Sequence, residues 1–382
     1  MRGVWLFFAV LLTFAPGVNA EGVSNRDDMP VFYQSRVMPM DTYARLKGLS
    51  IEEVLRAPPE DFRPIPLMHH GENRWLTLDE AAAIGPADKE MAAAVEALQK
   101  LPEVIEAGGG KAVWGHLKTH RQFIAQRLAG RSEFDQLGAE VRRNQYPRAL
   151  YLGGLALVGA LVGFFPAMRR GPFAAVVVVG FWAAILFDFF GHMMIAQRIP
   201  VFSLVEAMYM LAIAVGLWTI VVGGALRAPA LAFVGLGLMG LCALGIWQFS
   251  QISDPFALAS GVYSRSVAYQ GCALLGVLAA AAVMLAAVYA FWGSLAQERY
   301  IAVERVLWAL GFACAVGGSI CGAYWAARAF GSLYVRELAY TGSLFIALYA
   351  ALVFVIDREW RLKRSGWLIL SGLASLLVLL AA

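Results

Sequence analysis

Asp188, His192, Arg198 and Glu206 fall within one short stretch, FDFFGHMMIAQRIPVFSLVEAMYM. Two carboxylates, an imidazole and a guanidinium gathered this closely in an apolar setting support two kinds of chemistry. They can satisfy one another as an ion network that orients a helical hairpin, because charged groups in lipid pair or line a cavity. Alternatively, His192 can present its imidazole to a metal or a heme iron. Asp188 and His192 are four residues apart, so one continuous helix puts them on a common face.

A second candidate is the stretch GAYWAARAFGSLYVRELAY, residues 322–340. It carries Tyr324, Trp325, Phe330, Tyr334 and Tyr340 beside Arg328, Arg336 and Glu337. Such aromatics serve as an interfacial belt, or as a platform for a flat cofactor whose carboxylates meet Arg328 and Arg336. His116 and His120 also have the spacing of a helical metal pair, although the same spacing describes a solvated face. His69 and His70 are adjacent, so a regular element cannot aim both at one ion. Cys242, Cys272, Cys314 and Cys321 all lie in apolar stretches and form no Cys-x-x-Cys pair, which reads as small packing residues.

The elements that must hold these groups are membrane helices. The chain is 60% hydrophobic and 15% charged, with a net charge of +4. That is a membrane composition, and the basic residues form no stripe that would bind nucleic acid. Eight apolar stretches fill the C-terminal part, near 149–167, 172–190, 203–224, 229–249, 266–292, 306–327, 338–356 and 366–382. Each is long enough to cross about 30 Å of hydrocarbon as a helix. Residues 1–20 have the pattern of a secretory signal: Arg2, an apolar run to Phe14, and Val18-Asn19-Ala20 as a small-x-small cleavage site. An uncleaved anchor is the alternative.

Either way, residues 21–148 start outside the cytoplasm. The short inner loops then hold Arg169, Arg170, Arg227, Arg299, Arg305, Arg358, Arg361, Lys363 and Arg364. The short outer loops hold only Arg198, Arg265, Arg328 and Arg336, which agrees with the positive-inside bias. Residues 21–148 read as a small, mostly helical extracytoplasmic segment. Its proline-rich start, to about residue 75, reads as irregular. Helices are expected over 78–84 behind a Thr77 cap, over 87–100, and over 112–145 with a break near Gly130. No strand period stands out. Gly159-x-x-x-Gly163 and Gly318-x-x-x-Gly322 predict close helix approach in the membrane. The expected fold is therefore an all-α integral membrane protein with about eight transmembrane helices. They follow a signal peptide (1–20) and an extracytoplasmic segment (21–148), and occupy residues 149–382.

The order of these features resembles the cytochrome c biogenesis family CcsA, also called ResC. Gly322-Ala-Tyr-Trp325-Ala326 matches the lead to the family's Trp-rich outer loop. Phe330-Gly331-Ser-Leu-Tyr334-Val-Arg336-Glu337 stands where that loop would be. Gly191-His192, Pro200, Ser203 and Glu206 resemble a Gly-His-x-Pro-x-Ser-x-x-Glu-like segment, with a longer spacer. Arg36-Val-Met-Pro39-Met-Asp41-Thr42-Tyr-Ala44-Arg45 resembles an element that precedes CcsA in fused forms.

The resemblance implies a bacterial inner-membrane protein of c-type cytochrome biogenesis. It implies heme as cofactor, with His192 as the iron ligand and Trp325, Phe330, Tyr334, Arg328 and Arg336 around the ring. It also implies a ResB-like or similar assembly partner and apocytochrome c as a further one. The signature tryptophans, however, are Phe330, Tyr334 and Arg336 here, and the family's two outer histidines have no counterpart. The alternative is a divergent, non-catalytic paralogue that keeps the scaffold. A small-molecule transporter would call for charges deep in several spans or an inverted repeat. Asp188 and Glu206 instead stand near span ends.

Overall fold

The computed structural model describes residues 29–33, 36–69, 72–84, 88–107, 110–127, 140–141, 143, 148–162, 173–196, 203–252, 266–296 and 300–360. The expected signal peptide, Arg198 and the eighth apolar stretch lie outside these residues. The chain divides into two compact units, one holding most of residues 15–147 and the other the apolar helices.

The first unit opens with an antiparallel hairpin, β1 (Pro30–Tyr33) on β2 (Arg36–Pro39), paired from Pro30↔Pro39 to Tyr33↔Arg36. Helices α1 (Met40–Lys47) and α2 (Ile51–Arg56) follow, then a second hairpin, β3 (Ile65–His69) on β4 (Glu72–Leu76). The expectation of an irregular, strand-free start is thereby corrected. These strands are only four or five residues long, and prolines at Pro30, Pro39 and Pro66 mask their period. Proline is tolerated there because it occupies strand ends and edges.

Helices α3 (Leu78–Ile84), α4 (Lys89–Gln99), α5 (Leu101–Glu106) and α6 (Gly110–Arg127) complete the unit. The Thr77 cap forms as expected, with Glu80 N–H donating to Thr77 Oγ1 at 3.2 Å and Thr77 N–H to Glu80 Oε2 at 2.9 Å. Val31, Met38, Tyr43, Phe62, Ile65, Leu76, Met91, Leu101 and Ile124 share one buried core. At its edge the Tyr43 hydroxyl donates to Asp61 at 2.9 Å, and Lys47 pairs with the same carboxylate. Burial and that neighbour push the Tyr43 phenol well above its ordinary range.

The second unit contains α7 (Arg148–Val162), α8 (Phe173–Ala196), α9 (Leu204–Leu226), α10 (Pro229–Ile252), α11 (Val267–Ala296), α12 (Tyr300–Phe330) and α13 (Leu338–Trp360). Six of them, α8 to α13, are long and apolar enough to cross a membrane. The described part of α7, at 15 residues, is shorter than a full span. Arg227 ends α9 in the left-handed conformation, φ 51°, and Ala228 N–H donates back to Gly223 O at 3.0 Å. Pro229 then starts α10, where its missing N–H costs nothing. Only Arg227 and Ala228 separate the two helices.

Small residues set the helix spacing, as the Gly318–Gly322 pattern predicts. A methyl group on Gly322 would lie 2.5 Å from Tyr340 Cδ2 and 3.0 Å from Cys272 Sγ. One on Gly318 would meet Ser343 Oγ at 3.0 Å. Gly322→Val should therefore separate α12 from α11 and α13, at a cost of about 1–3 kcal/mol from overpacking. A lowered melting temperature in detergent is the expected reading, and an unchanged one would show that the interface yields freely.

Candidate functional site

Helix α8 runs unbroken to Ala196, past the expected end near residue 190, and so carries both Asp188 and His192 on one buried face. Helix α9 supplies the partners. Ser203 caps it: Glu206 N–H donates to Ser203 Oγ at 3.1 Å, and Ser203 N–H donates to Glu206 Oε2 at 2.9 Å. This capping box fixes Glu206 in the first turn. Its other oxygen, Oε1, lies 3.5 Å from His192 Nε2. The two side chains are completely enclosed.

Tyr209, one turn further along α9, donates its hydroxyl to Asp188. Its ring packs against His192 at 5.5 Å between centroids and against Phe189 at 5.8 Å. The result is two carboxylates and two proton-bearing rings held between α8 and α9. Glu206 has a separate task for each oxygen, one on the helix end and one on the imidazole. Sequence reasoning missed Tyr209. Its spacing of three from Glu206 was the available signal, since that spacing places both on one helix face.

The aromatic candidates sit in a different buried cluster, built on α11, α12 and the start of α13. Trp325 is buried, against Tyr269 at 4.9 Å and edge-on to Phe330 at 5.4 Å. It is thus a core side chain and not an open platform. Phe330 and Tyr334 are about half exposed, and Arg328 and Arg336 are exposed beside them. Arg328 lies over the Tyr324 ring at 5.5 Å.

The loop from Gly331 to Glu337 is pinned at both sides. The Tyr340 hydroxyl donates to Leu333 O at 2.9 Å, and the Tyr269 hydroxyl to Glu337 Oε1 at 3.0 Å. Glu337 Oε2 accepts from Ala339 N–H at 2.9 Å, so Glu337, read in the sequence as part of a cofactor loop, caps α13.

A heme at His192 needs an imidazole nitrogen with an open approach and room for a wide flat ring. Here Nε2 faces Glu206 and the side chain has no exposed surface. The residues as arranged do not fit an axial ligand. His116 and His120 do not form a metal pair either. His120 is buried in the core of the first unit, with its Nε2 3.0 Å from Pro64 O. Among the described residues, no group of three or more histidine, cysteine or acidic side chains is placed to hold a metal.

A cavity of about 350 Å³ opens at the opposite ends of α8 and α9, lined by Val178, Thr219, Gly223 and Arg227 among others. It does not touch the His192 cluster. No protein-family model matches the chain, and no curated protein matches it.

Proposed function

We propose that the chain is a multi-pass protein of the bacterial inner membrane that serves c-type cytochrome biogenesis as a CcsA-like assembly scaffold. Residues 21–148 face the outside and dock a ResB-like or similar partner. The CcsA-like residue order supports the process. The enclosed His192, turned onto Glu206, supports a scaffold over a heme-delivering catalyst. Loss of the family's outer histidines points the same way.

A second reading, heme handling at the outer face, is favoured by the exposed aromatic edge of Phe330 and Tyr334 with Arg328 and Arg336 beside it. One spectrum separates the two. Protein purified from heme-replete cells should show no heme absorption band. A band that disappears in both His192→Ala and Phe330→Ala would establish heme handling and overturn the scaffold.

A further inference from the structure

Helix α12 begins at Tyr300, earlier than the apolar pattern suggests, and so brings Glu304 into the membrane unit. Glu304 is fully buried, flanked by the buried Val303, Leu307 and Trp308. Neither carboxyl oxygen has a hydrogen-bond partner among the described residues. An acid this near a helix start commonly caps the free N–H groups of the first turn, but Glu304 makes no such bond. An ionised carboxylate without partners in an apolar interior is so costly that the group takes up a proton instead.

One turn further along the same face, the indole Nε1 of Trp308 is also buried and without a partner among the described residues. A core that leaves an acid and an N–H donor unsatisfied one turn apart calls for an explanation. The same apolar core includes the phenols Tyr289 of α11 and Tyr349 of α13, the latter with its ring 5.9 Å from that of Trp308. Neither supplies a cation. Arg305, the next residue on α12, is exposed.

We propose that Glu304 and Trp308 form a proton-binding site within the membrane helices. Glu304 is a neutral carboxylic acid at rest. When the proton leaves, the Trp308 N–H, one turn along the helix, turns to receive the carboxylate. An ionisable group inside the membrane that is kept without structural partners marks a functional site. This site is independent of the scaffold reading above.

A membrane-soluble carbodiimide tests it on the full chain in native membranes. The acid adds across the reagent: its proton passes to one nitrogen and its oxygen bonds to the central carbon. The adduct then rearranges to a stable N-acylurea with nothing lost. Dicyclohexylcarbodiimide should therefore add one whole reagent to the Glu304 peptide, and E304Q should abolish that adduct. A water-soluble carbodiimide should instead mark the exposed Glu52 and leave Glu304 unlabelled.

The infrared difference between wild type and E304Q at neutral pH should carry the carbonyl stretch of one neutral acid. In W308F that band should persist to higher pH, because the carboxylate has lost its donor. Labelling of the wild-type chain elsewhere but not at Glu304, or a carboxylate band in place of the acid band, overturns the site. An unmoved pH profile in W308F overturns the role of Trp308.

Discussion

Glu206→Ala is expected to lower the stability of the membrane helices by about 2–4 kcal/mol, the combined cost of a lost cap and of a buried polar group left without its neighbour. Two losses combine. The capping box at Ser203 disappears, worth about 1 kcal/mol. His192, fully enclosed, loses the carboxylate 3.5 Å from its Nε2.

The two contributions can be separated. Glu206→Gln keeps an oxygen that can accept from Ser203 N–H, because glutamine also completes the box. It replaces the carboxylate oxygen facing His192 by an amide NH2 group, a donor in place of an acceptor. Melting in detergent should therefore rank wild type above Gln and Gln above Ala. An Ala variant that melts with the wild type would mean that neither contact matters. In a double-mutant cycle with His192→Ala, strong non-additivity is expected, as for any pair in direct contact.

Acid should weaken the first unit through His120. Its ring is fully buried in α6, and burial lowers its pKa from 6.5 to about 4, with the Pro64 carbonyl working the other way. Nε2–H donates to Pro64 O, which leaves Nδ1 as a buried acceptor with no partner among the described residues. Protonation would put a second N–H there with nothing to receive it.

The sign follows from proton counting. Between pH 6.5 and 4 the unfolded chain binds a proton at this residue and the folded chain does not, so stability falls as pH falls through that window. Across that window the loss comes to about 3 kcal/mol. Hydrogen exchange of α4 to α6 amides in the intact protein should accelerate from pH 6.5 downward, after correction for intrinsic rates. His120→Gln, which has no proton to gain, should flatten that profile. Equal slopes in both proteins would remove His120 as the cause.

Much of the membrane architecture was legible because lipid imposes one requirement, a long apolar helix, that composition reveals directly. Caps with a local signature, such as Thr77 with Glu80, were legible too. What escaped was the chemistry at helix ends. A window that avoids charge starts the sixth span at 306 and leaves Glu304 and Arg305 in a loop, whereas α12 includes both. The same habit ends the second span near 190, before His192, which α8 carries.

The stretch from Asp188 to Glu206 announced a polar cluster, and the structure gathers three of its four charged residues. Arg198 lies outside the described residues. The role of each residue was not readable. Whether Glu206 faces iron, arginine or imidazole depends on the rotation of α9, which its Ser203 cap and the packing of Tyr209 decide. Trp325 illustrates the same limit. An aromatic beside an exposed loop looks like a binding surface until tertiary contacts with Tyr269 turn it inward.

The link between α9 and α10 has a consequence for how the chain enters a bilayer. Arg227 and Ala228 extend to about 7 Å at most, far less than a membrane's thickness. The end of α9 and the start of α10 must therefore emerge on the same side, whichever side that is. A mistake in orienting one helix during synthesis necessarily inverts the other, so the pair is oriented as a single object. The cation that favours the cytoplasmic side sits in the turn itself. One arginine, held in a backbone conformation that side chains rarely adopt, thus biases the direction of two crossings at once.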